Sequence, residues 1–467
     1  MTTKSEVFWT IFTTCLAFVI IQLDVTIVNI ALPSIGASLG SSLAGLQWII
    51  DAYTLVLAIV LLTAGILGDR LGSKRIFIAG FAIFGLASFA CGLSSSTSML
   101  IISRAFQGLG GALVLPTSLA LIAHACKGDN VLRAKAVSIW AASGALATAL
   151  GPVLGGVLVT YPGWQWIFFV NIPICLCAIA ITFKVVTETT KSVEGRFDLL
   201  GQILISLSLL ALINSFIRVG RDGWDQNVIL GIVLFAVLFG AFLIRQAFSR
   251  NPLVPLSIFK IMPFSSSVLS ASLLSLTFYG LIFVLTLYFH KVLGYSPAAS
   301  GVSFLPLTGV IMIANLNSVR LVKKIGYRAA ISVGLGVAAI GYGWLALLPA
   351  YTGIIAMIPG MMLVTLGMGT AIPLTTTVVI GSVDKTISGT ASAILNTGRQ
   401  FAGAIGVALF GTMVSDNVES IAENINYVYL VSAVLLIAAM VKSIIYVKRD
   451  IVSEPLSSTN KSIKTIT

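Results

Sequence analysis

Apolar runs of about twenty residues, separated by charged, proline or glycine punctuation, repeat along almost the whole chain. At about 1.5 Å per residue such a run crosses a hydrocarbon core of about 30 Å, so each predicts a membrane-spanning helix. Fourteen fall at 9–32, 46–68, 75–93, 99–123, 134–160, 164–183, 199–219, 228–247, 264–289, 298–319, 329–348, 352–380, 388–413 and 425–447. Without the seventh and eighth the count is twelve. Inside the first run, Leu23-Asp24-Val25-Thr26-Ile27-Val28-Asn29-Ile30-Ala31-Leu32-Pro33 places a carboxylate among apolar residues. An ionised Asp near a bilayer centre costs at least about 3 kcal/mol, so Asp24 is expected to face a protein interior or a watery cavity and to mark an ion or proton path. The other reading of Asp24 is a buried polar group satisfied by neighbouring helices.

Composition agrees with the pattern. Hydrophobic residues make up 57% of the chain and charged ones 9%, with a mean hydropathy of +1.04. A soluble domain is excluded. The first run is read as a retained span, because Asp24 interrupts its apolar stretch and no small-residue cleavage pattern follows a compact apolar region. The net charge of +12 is explained by where Lys and Arg lie. One set of alternate loops carries Arg70, Lys74 and Arg75, then Lys127, Arg133 and Lys135, then Lys184, Lys191 and Arg196, then Arg245, Arg250 and Lys260. Farther on it carries Arg320, Lys323, Lys324 and Arg328, then Lys385 and the tail from Lys448, leaving Arg218, Arg221 and Lys291 for the other side. Loops rich in cations stay cytoplasmic, so both termini are expected inside, with an even number of spans in a cytoplasmic (inner) membrane. Nucleic acid is not needed to account for the charge. The five cysteines show no Cys-x-x-Cys spacing, and His124 and His290 flank spans without forming a ligand cluster. Disulfides, metal, cofactors and enzymatic chemistry are therefore not expected.

The first six and last six spans look like a repeat. Gly68-Asp69-Arg70-Leu71-Gly72-Ser73-Lys74 follows the second span, and Val322-Lys323-Lys324-Ile325-Gly326-Tyr327-Arg328 follows the tenth, with glycine and cations at matching offsets. Weak similarity of this kind is what parallel repeats leave in a transporter sequence. The expected organisation is a six-helix bundle over 1–187, two inserted helices with linkers over 188–260, a second six-helix bundle over 261–450, and a disordered Ser-, Thr- and Lys-rich tail over 451–467.

Several stretches carry a family resemblance. Gly65-x-Leu67-Gly68-Asp69-Arg70-x-Gly72-x-Lys74 resembles the loop motif between the second and third helices of the major facilitator superfamily. Leu100-x-x-x-Arg104-x-x-Gln107-Gly108-x-Gly110-Gly111-Ala112 is similar to its fourth-helix motif, and the stretch from Gly144 to Leu158 to the antiporter motif of its exporters. The Leu23 to Pro33 run, Trp164-Gln165-Trp166-Ile167-Phe168-Phe169-Val170-Asn171-Ile172-Pro173 and Leu293-Gly294-Tyr295-Ser296-Pro297 resemble the fourteen-helix drug:proton antiporter branch. Gln165, where Arg is common, and His290, near which Gln is common, depart from that pattern. The resemblance implies an all-α polytopic major facilitator fold, two six-helix bundles plus two inserted helices, alternately open to each side. It also implies a role for Asp69 against the start of the penultimate helix, near Ser388, and a role for the antiporter motif in preventing proton leak.

The residues add physical content. Gly144, Thr148, Gly151 and Gly155 fall at i, i+4, i+7 and i+11, one small-residue face suited to close helix approach, with Pro152 kinking the helix beside it and Gly156 adjoining. Gly65 and Gly72 are expected to permit a tight turn at Asp69, Arg70 and Lys74; those cations also serve as a topology signal. Asp24, Asp51 and Arg104 are expected to share the outer third of the membrane. Arg104, Gln107, Gly108 and Gly111 form one stripe. Asp24 or Asp51 is read as the proton and cation site with Arg104 as charge partner, and the Gln22, Thr26 and Asn29 face as packing. Arg399, with Gly403 and Gly406, is expected to brace cytoplasmic carbonyls or Asp69, the alternative being a substrate contact. Phe278, Tyr279 and Tyr288 are candidates to line a cavity for a flat lipophilic ligand, or simply to pack.

The function expected is proton-driven export of lipophilic, often cationic compounds by a monomer in the lipid bilayer, its partners being protons and a small-molecule substrate. The alternatives are export of an endogenous metabolite such as a siderophore or amino acid, and a transport-dead sensor.

Overall fold

The computed structural model describes residues 4–126, 129–189, 198–249, 252–384, 387–414 and 417–449, and among them every regular element is helical. In chain order these are α1 (Lys4–Leu39), α2 (Leu43–Leu71), α3 (Ser73–Gly92), α4 (Thr97–Ala125), α5 (Asn130–Thr160), α6 (Trp166–Phe169), α7 (Asn171–Val185) and α8 (Leu199–Asp222). Then follow α9 (Gln226–Phe248), α10 (Met262–Leu287), α11 (Pro297–Ser303), α12 (Leu305–Ala346), α13 (Ile354–Gly381), α14 (Ser388–Met413) and α15 (Val418–Tyr446). Short polar side chains start many of them: the hydroxyls of Ser42, Ser96 and Ser296 and the carboxylates of Asp129, Asp198 and Asp225 each accept a backbone N–H from the first turn. Each cap satisfies a donor that would otherwise be orphaned.

Twelve described stretches are long and apolar enough to cross a membrane. One of them, Pro297–Ala346, is 50 residues long, and its backbone breaks at Gly326, where φ is 77°. The helix α14 is not among the twelve; it carries Asn396, Arg399 and Gln400. The chain is thus an all-helical membrane protein of about twelve to fourteen apolar helices. The expected tail at 451–467 lies outside the described residues, as do Lys127, Lys191, Arg196, Arg250 and Lys385.

The face at which α1 begins is termed proximal and the opposite one distal. On the proximal face the two halves of the sequence repeat one local construction. Gly72 (φ 102°) and Gly326 (φ 77°) each turn the chain through a backbone region that side chains with a Cβ rarely enter. Two residues beyond each, a cation reaches back to a carbonyl near the end of the last long helix of its half: Lys74 Nζ donates to Phe183 O at 3.1 Å, and Arg328 Nε to Val447 O at 2.6 Å. The match of Lys74 with Arg328 in the sequence thus corresponds to equivalent hydrogen bonds in space.

Two expectations about this region need correction. Gly65 is not part of the turn; it lies inside α2 beside Pro116 of α4. Asp69 is exposed and makes no hydrogen bond or ion pair among the described residues. The carboxylate at a helix start is Glu188 instead, which accepts Lys74 N at 2.9 Å and lies 3.8 Å from Arg75 Nε.

The depth estimate changes as well. The helix α1 continues through Pro33 to Leu39, so Asp24 lies about 22 Å from its distal end and near mid-helix. Burial compensates the proline: residues 30–33 are all buried, and Gly36 packs on Leu46 of α2.

The described contacts between the first seven helices and α10–α15 cluster toward the distal face. A Cβ on Gly156 would meet Pro297 O at 2.8 Å, and Gly301 is pressed against Pro152 O. Gln47 Nε2 reaches across from α2 to Val407 O and Ala408 O of α14, at 3.3 and 3.1 Å. The pair α8–α9 lies beside this seam. Ile205, Leu209 and Ile213 share an apolar cluster with Leu55 of α2 and with Ala404 and Ala408 of α14, and Gln202 Nε2 donates to Ile59 O at 2.6 Å.

Candidate functional site

The buried polar centre is assembled from five helices. From α1, Asp24 receives Arg104 Nη1 on Oδ2 at 2.5 Å, and Gln107 Nε2 on Oδ1 at 2.8 Å, both from α4. Asn171 of α7 approaches the same Oδ1 at 3.4 Å, and Ser88 of α3 accepts from Gln107 Nε2 at 2.9 Å. Arg104 Nη1 also donates to Gln107 Oε1 at 2.6 Å, and its Nε to Ile49 O of α2 at 3.1 Å. The guanidinium lies over the Tyr53 ring, 4.3 Å from its centroid, and 5.8 Å from that of Phe168. Asp24 is 0% exposed and Arg104 1%. A buried ion pair is tolerated only with good geometry and with its remaining lone pairs and protons satisfied, and the neighbouring amides supply those hydrogen bonds.

Asp24, Arg104 and Gln107, grouped together from the sequence, meet in space. Ser88 and Asn171 were missed, although Asn171 stands out as the polar residue in Phe169-Val170-Asn171-Ile172-Pro173. The Gln22, Thr26 and Asn29 face and the Asp24 face of α1 are both engaged. Asp24 turns toward α2, α3, α4 and α7, while Gln22 Nε2 donates to Thr148 Oγ1 of α5 at 3.2 Å. Both faces are used, each by a different neighbour.

Asp51 of α2 contrasts with Asp24. It is 0% exposed, not near a surface, and neither carboxylate oxygen has a hydrogen-bond partner among the described residues. One turn away on either side lie Gln47, bound to α14 carbonyls, and Leu55, clustered with Ala404 and Ala408. At helical spacing Asp51 falls on the same α2 face, toward the α14 seam.

The small-residue face of α5 packs along α1. Gly144 faces Phe18 and Gly151 faces Thr26, while a Cβ at Gly155 would come within 3.0 Å of Ile27. Pro152 O meets Gly301, so this helix touches α1 on one side and α11 on another.

The remaining candidates are dispersed. Asn29 Nδ2 donates within α1 to Val25 O at 2.7 Å. His290 bonds the Tyr295 carbonyl at 3.1 Å in a π-turn after α10, as a brace of the distal loop. Phe278 is buried in the apolar core, whereas Tyr279 keeps partial exposure. Arg399 is not braced by Asp69 or by proximal carbonyls; Nε donates to Ser275 Oγ of α10 at 3.3 Å. Arg70 and Lys74 stay at the proximal end of α2 and start of α3.

Known proteins give this geometry a lineage. The profile of the Major Facilitator Superfamily matches residues 14–407. The chain belongs to that superfamily. It is 33% identical over 413 residues to the tetracenomycin C resistance and export protein of Streptomyces glaucescens, covering 88% of this chain and 76% of that one. It is 35% identical over 404 residues to the methylenomycin A resistance protein of Bacillus subtilis (strain 168), covering 85% and 86%. It is 32% identical over 407 residues to the multidrug resistance protein Stp of Mycobacterium tuberculosis (strain CDC 1551 / Oshkosh), covering 87% and 75%. Among solved structures, the D-xylose-proton symporter superposes with a TM-score of 0.70 at 14% identity, over 95% of this chain and 98% of that one. That likeness shows the fold.

Proposed function

We propose that this superfamily member is a proton-coupled antiporter that exports lipophilic, often cationic compounds by alternating access. The observation that carries the reading is Asp51, a carboxyl buried on the α2 face toward the α14 seam with no donor or cation among the described residues. An isolated charge there is costly, so a proton or a cationic group from outside must match it. Either occupant excludes the other, which makes exchange obligatory in principle. Asp24 is already matched by Arg104, Gln107 and Asn171, and is assigned the role of holding α1 against α4. The relatives named as resistance and export proteins support the direction of transport.

The same proposal takes the chain as fourteen crossings. Counting the two limbs of α12 around Gly326 separately, and adding α14, brings the twelve apolar stretches to fourteen. The proximal face is cytoplasmic, in a cytoplasmic (inner) membrane, with bundles over 1–187 and 261–450 and the insert over 188–260. The protein acts as a monomer and takes its energy from the proton gradient, without a cofactor. The α1–α5 contact through Gly144, Gly151 and Gly155 limits proton leak, and the turn around Asp69, Gly72 and Lys74 shapes the cytoplasmic gate.

The test is purified protein in liposomes, with lumenal pH recorded as ethidium, neutral dyes and candidate metabolites are added. Ligand-evoked proton movement by the dyes, absent in Asp51→Asn, is expected. Proton movement evoked by an amino acid or siderophore alone would replace drug export with metabolite export. Wild-type exchange in Asp51→Asn would remove Asp51 from the mechanism.

A further inference from the structure

We infer that Arg399 is the docking point for an anionic group, a carboxylate or phenolate, on an amphiphilic compound entering between the two halves. The inference rests on the exporter reading only in taking that space as open to substrate. Among the described residues Arg399 makes one hydrogen bond, from Nε to Ser275 Oγ, and no ion pair. Its two terminal nitrogens therefore have no protein acceptor. Arg104 is different: Asp24, Gln107 and Ile49 all accept from it. A guanidinium within a membrane helix is costly and is retained where it meets a partner or a water-filled path. Here no anion is supplied by the described residues.

The surroundings are those of an accessible wall. Ser392, Asn396 and Arg399 recur at i, i+4 and i+7 on α14, and all three are partly exposed. On α10 the partly exposed residues Ser272, Leu276 and Tyr279 recur at the same spacing. The two helices are packed closely enough that a Cβ on Gly398 would lie 3.0 Å from Ser272 Oγ, and one on Gly403 would lie 2.6 Å from the Tyr279 ring. Gly403 is one turn beyond Arg399, so Tyr279 meets α14 one turn from the guanidinium-bearing residue.

These groups divide the recognition between them. The two free terminal nitrogens form a planar fork that matches a carboxylate bidentately, a geometry an ammonium cannot offer. The Ser275 and Tyr279 hydroxyls can donate to the same anion, and the Tyr279 ring and Leu276 offer apolar contact to an aromatic or aliphatic body. Asp51 on α2 would take a cationic group and Arg399 on α14 an anionic one. The transporter thereby gains a second class of cargo, amphiphilic acids, and a basis for accepting zwitterions.

The test uses the full chain in detergent with three probes of one shape, 1-naphthoate, 1-naphthamide and 1-naphthylmethylammonium, their affinities measured by calorimetry. Wild type is expected to bind 1-naphthoate at least about tenfold more tightly than 1-naphthamide, the size of one charge-assisted hydrogen-bonded contact. Arg399→Gln should erase that preference while leaving 1-naphthylmethylammonium within twofold, and Arg399→Lys should retain part of it. Equal affinity of wild type for naphthoate and naphthamide would overturn the inference, and that result needs no variant. So would a monodisperse Arg399→Gln protein that keeps the preference, or one that loses all three probes alike. Liposome assays separate the two levels. Arg399-dependent naphthoate binding without ligand-evoked proton movement would sink the antiporter and spare the subsite, whereas dye-driven exchange with no naphthoate preference would sink the subsite alone.

Discussion

Replacing Arg104 by Gln removes the cation from a carboxylate that is 0% exposed. What remains for Asp24 is Gln107 Nε2 at 2.8 Å and Asn171 Nδ2 at 3.4 Å, both on Oδ1, so Oδ2 loses its donor. Breaking a buried pair by removing one partner costs about 3 to 5 kcal/mol, because the other charge is left uncompensated. The lost contact with the Tyr53 ring, at 4.3 Å, acts in the same direction by about 1 to 2 kcal/mol. A rival magnitude exists: hydrogen bonds between membrane helices average only about 0.6 kcal/mol in double-mutant cycles. The two values are far enough apart to decide. Equilibrium unfolding in mixed micelles, followed by tryptophan fluorescence, should show Arg104→Gln destabilised by at least about 3 kcal/mol. Asp24→Asn/Arg104→Gln should be more stable than the sum of the single changes by about 1 to 3 kcal/mol. A single-variant loss below about 1 kcal/mol, or strict additivity, would refute the view that Asp24 and Arg104 are a closed electrostatic unit.

Other expectations follow from other contacts. Gly151→Leu should separate α5 from Thr26 of α1 and abolish or uncouple exchange; wild-type proton coupling would reduce that face to packing. The buried Asp198 carboxylate is pushed up by burial, but donors from Gly201, Gln246 and Arg245 outweigh this and hold it below the ordinary carboxylate value. A lowered folded value means its stabilisation is present above the unfolded value, about pH 3.9, and is lost as pH falls through the folded one. Asp198→Asn should therefore lower stability at neutral pH, and its deficit should shrink on acidification; a deficit independent of pH would contradict the clamp. Glu188→Gln should weaken the cap on Lys74 N by about 0.5 to 1 kcal/mol and alter turnover without changing substrate affinity. Cysteines at Gly223 and Lys323 should label from opposite sides with a membrane-impermeant reagent, and labelling from one side would overturn the proposed topology.

The legible parts of this protein are those governed by local pattern. The helix expected at 388–413 coincides with α14, and the Lys74–Arg328 correspondence in the sequence reappears as equivalent hydrogen bonds to Phe183 O and Val447 O. The pairing of Asp24 with Arg104 was accessible because a membrane interior leaves few options for opposite charges at similar depth. The position of Asp24 along α1 was less legible, since the apolar run ends at Leu32 whereas tertiary burial carries α1 past Pro33 to Leu39. Ser88 and Asn171 could not be weighed from sequence, since a polar residue on an apolar helix carries no record of which neighbour it meets. Glu188 was obscured for a related reason: its value comes from the approach of the chain after α7 to the start of α3, a contact across more than a hundred residues.

The two intramembrane arginines show how one residue type takes opposite roles. Arg104 has its charge answered by Asp24, its Nε by Ile49 O and its flat face by Tyr53. Its Nη1 and Nε are both bonded and its charge is met by a carboxylate, and that makes it a fixed element of the first half. Arg399 has one weak hydroxyl acceptor and a partly exposed position. The same asymmetry holds for the acids, with Asp24 matched and Asp51 unmatched. Binding energy can be exchanged only at groups the fold leaves unsatisfied, since a satisfied group must give up one partner to gain another. The unmatched carboxylate and unmatched guanidinium lie on α2 and α14, from opposite halves of the chain, and a movement of one half against the other would change the setting of both.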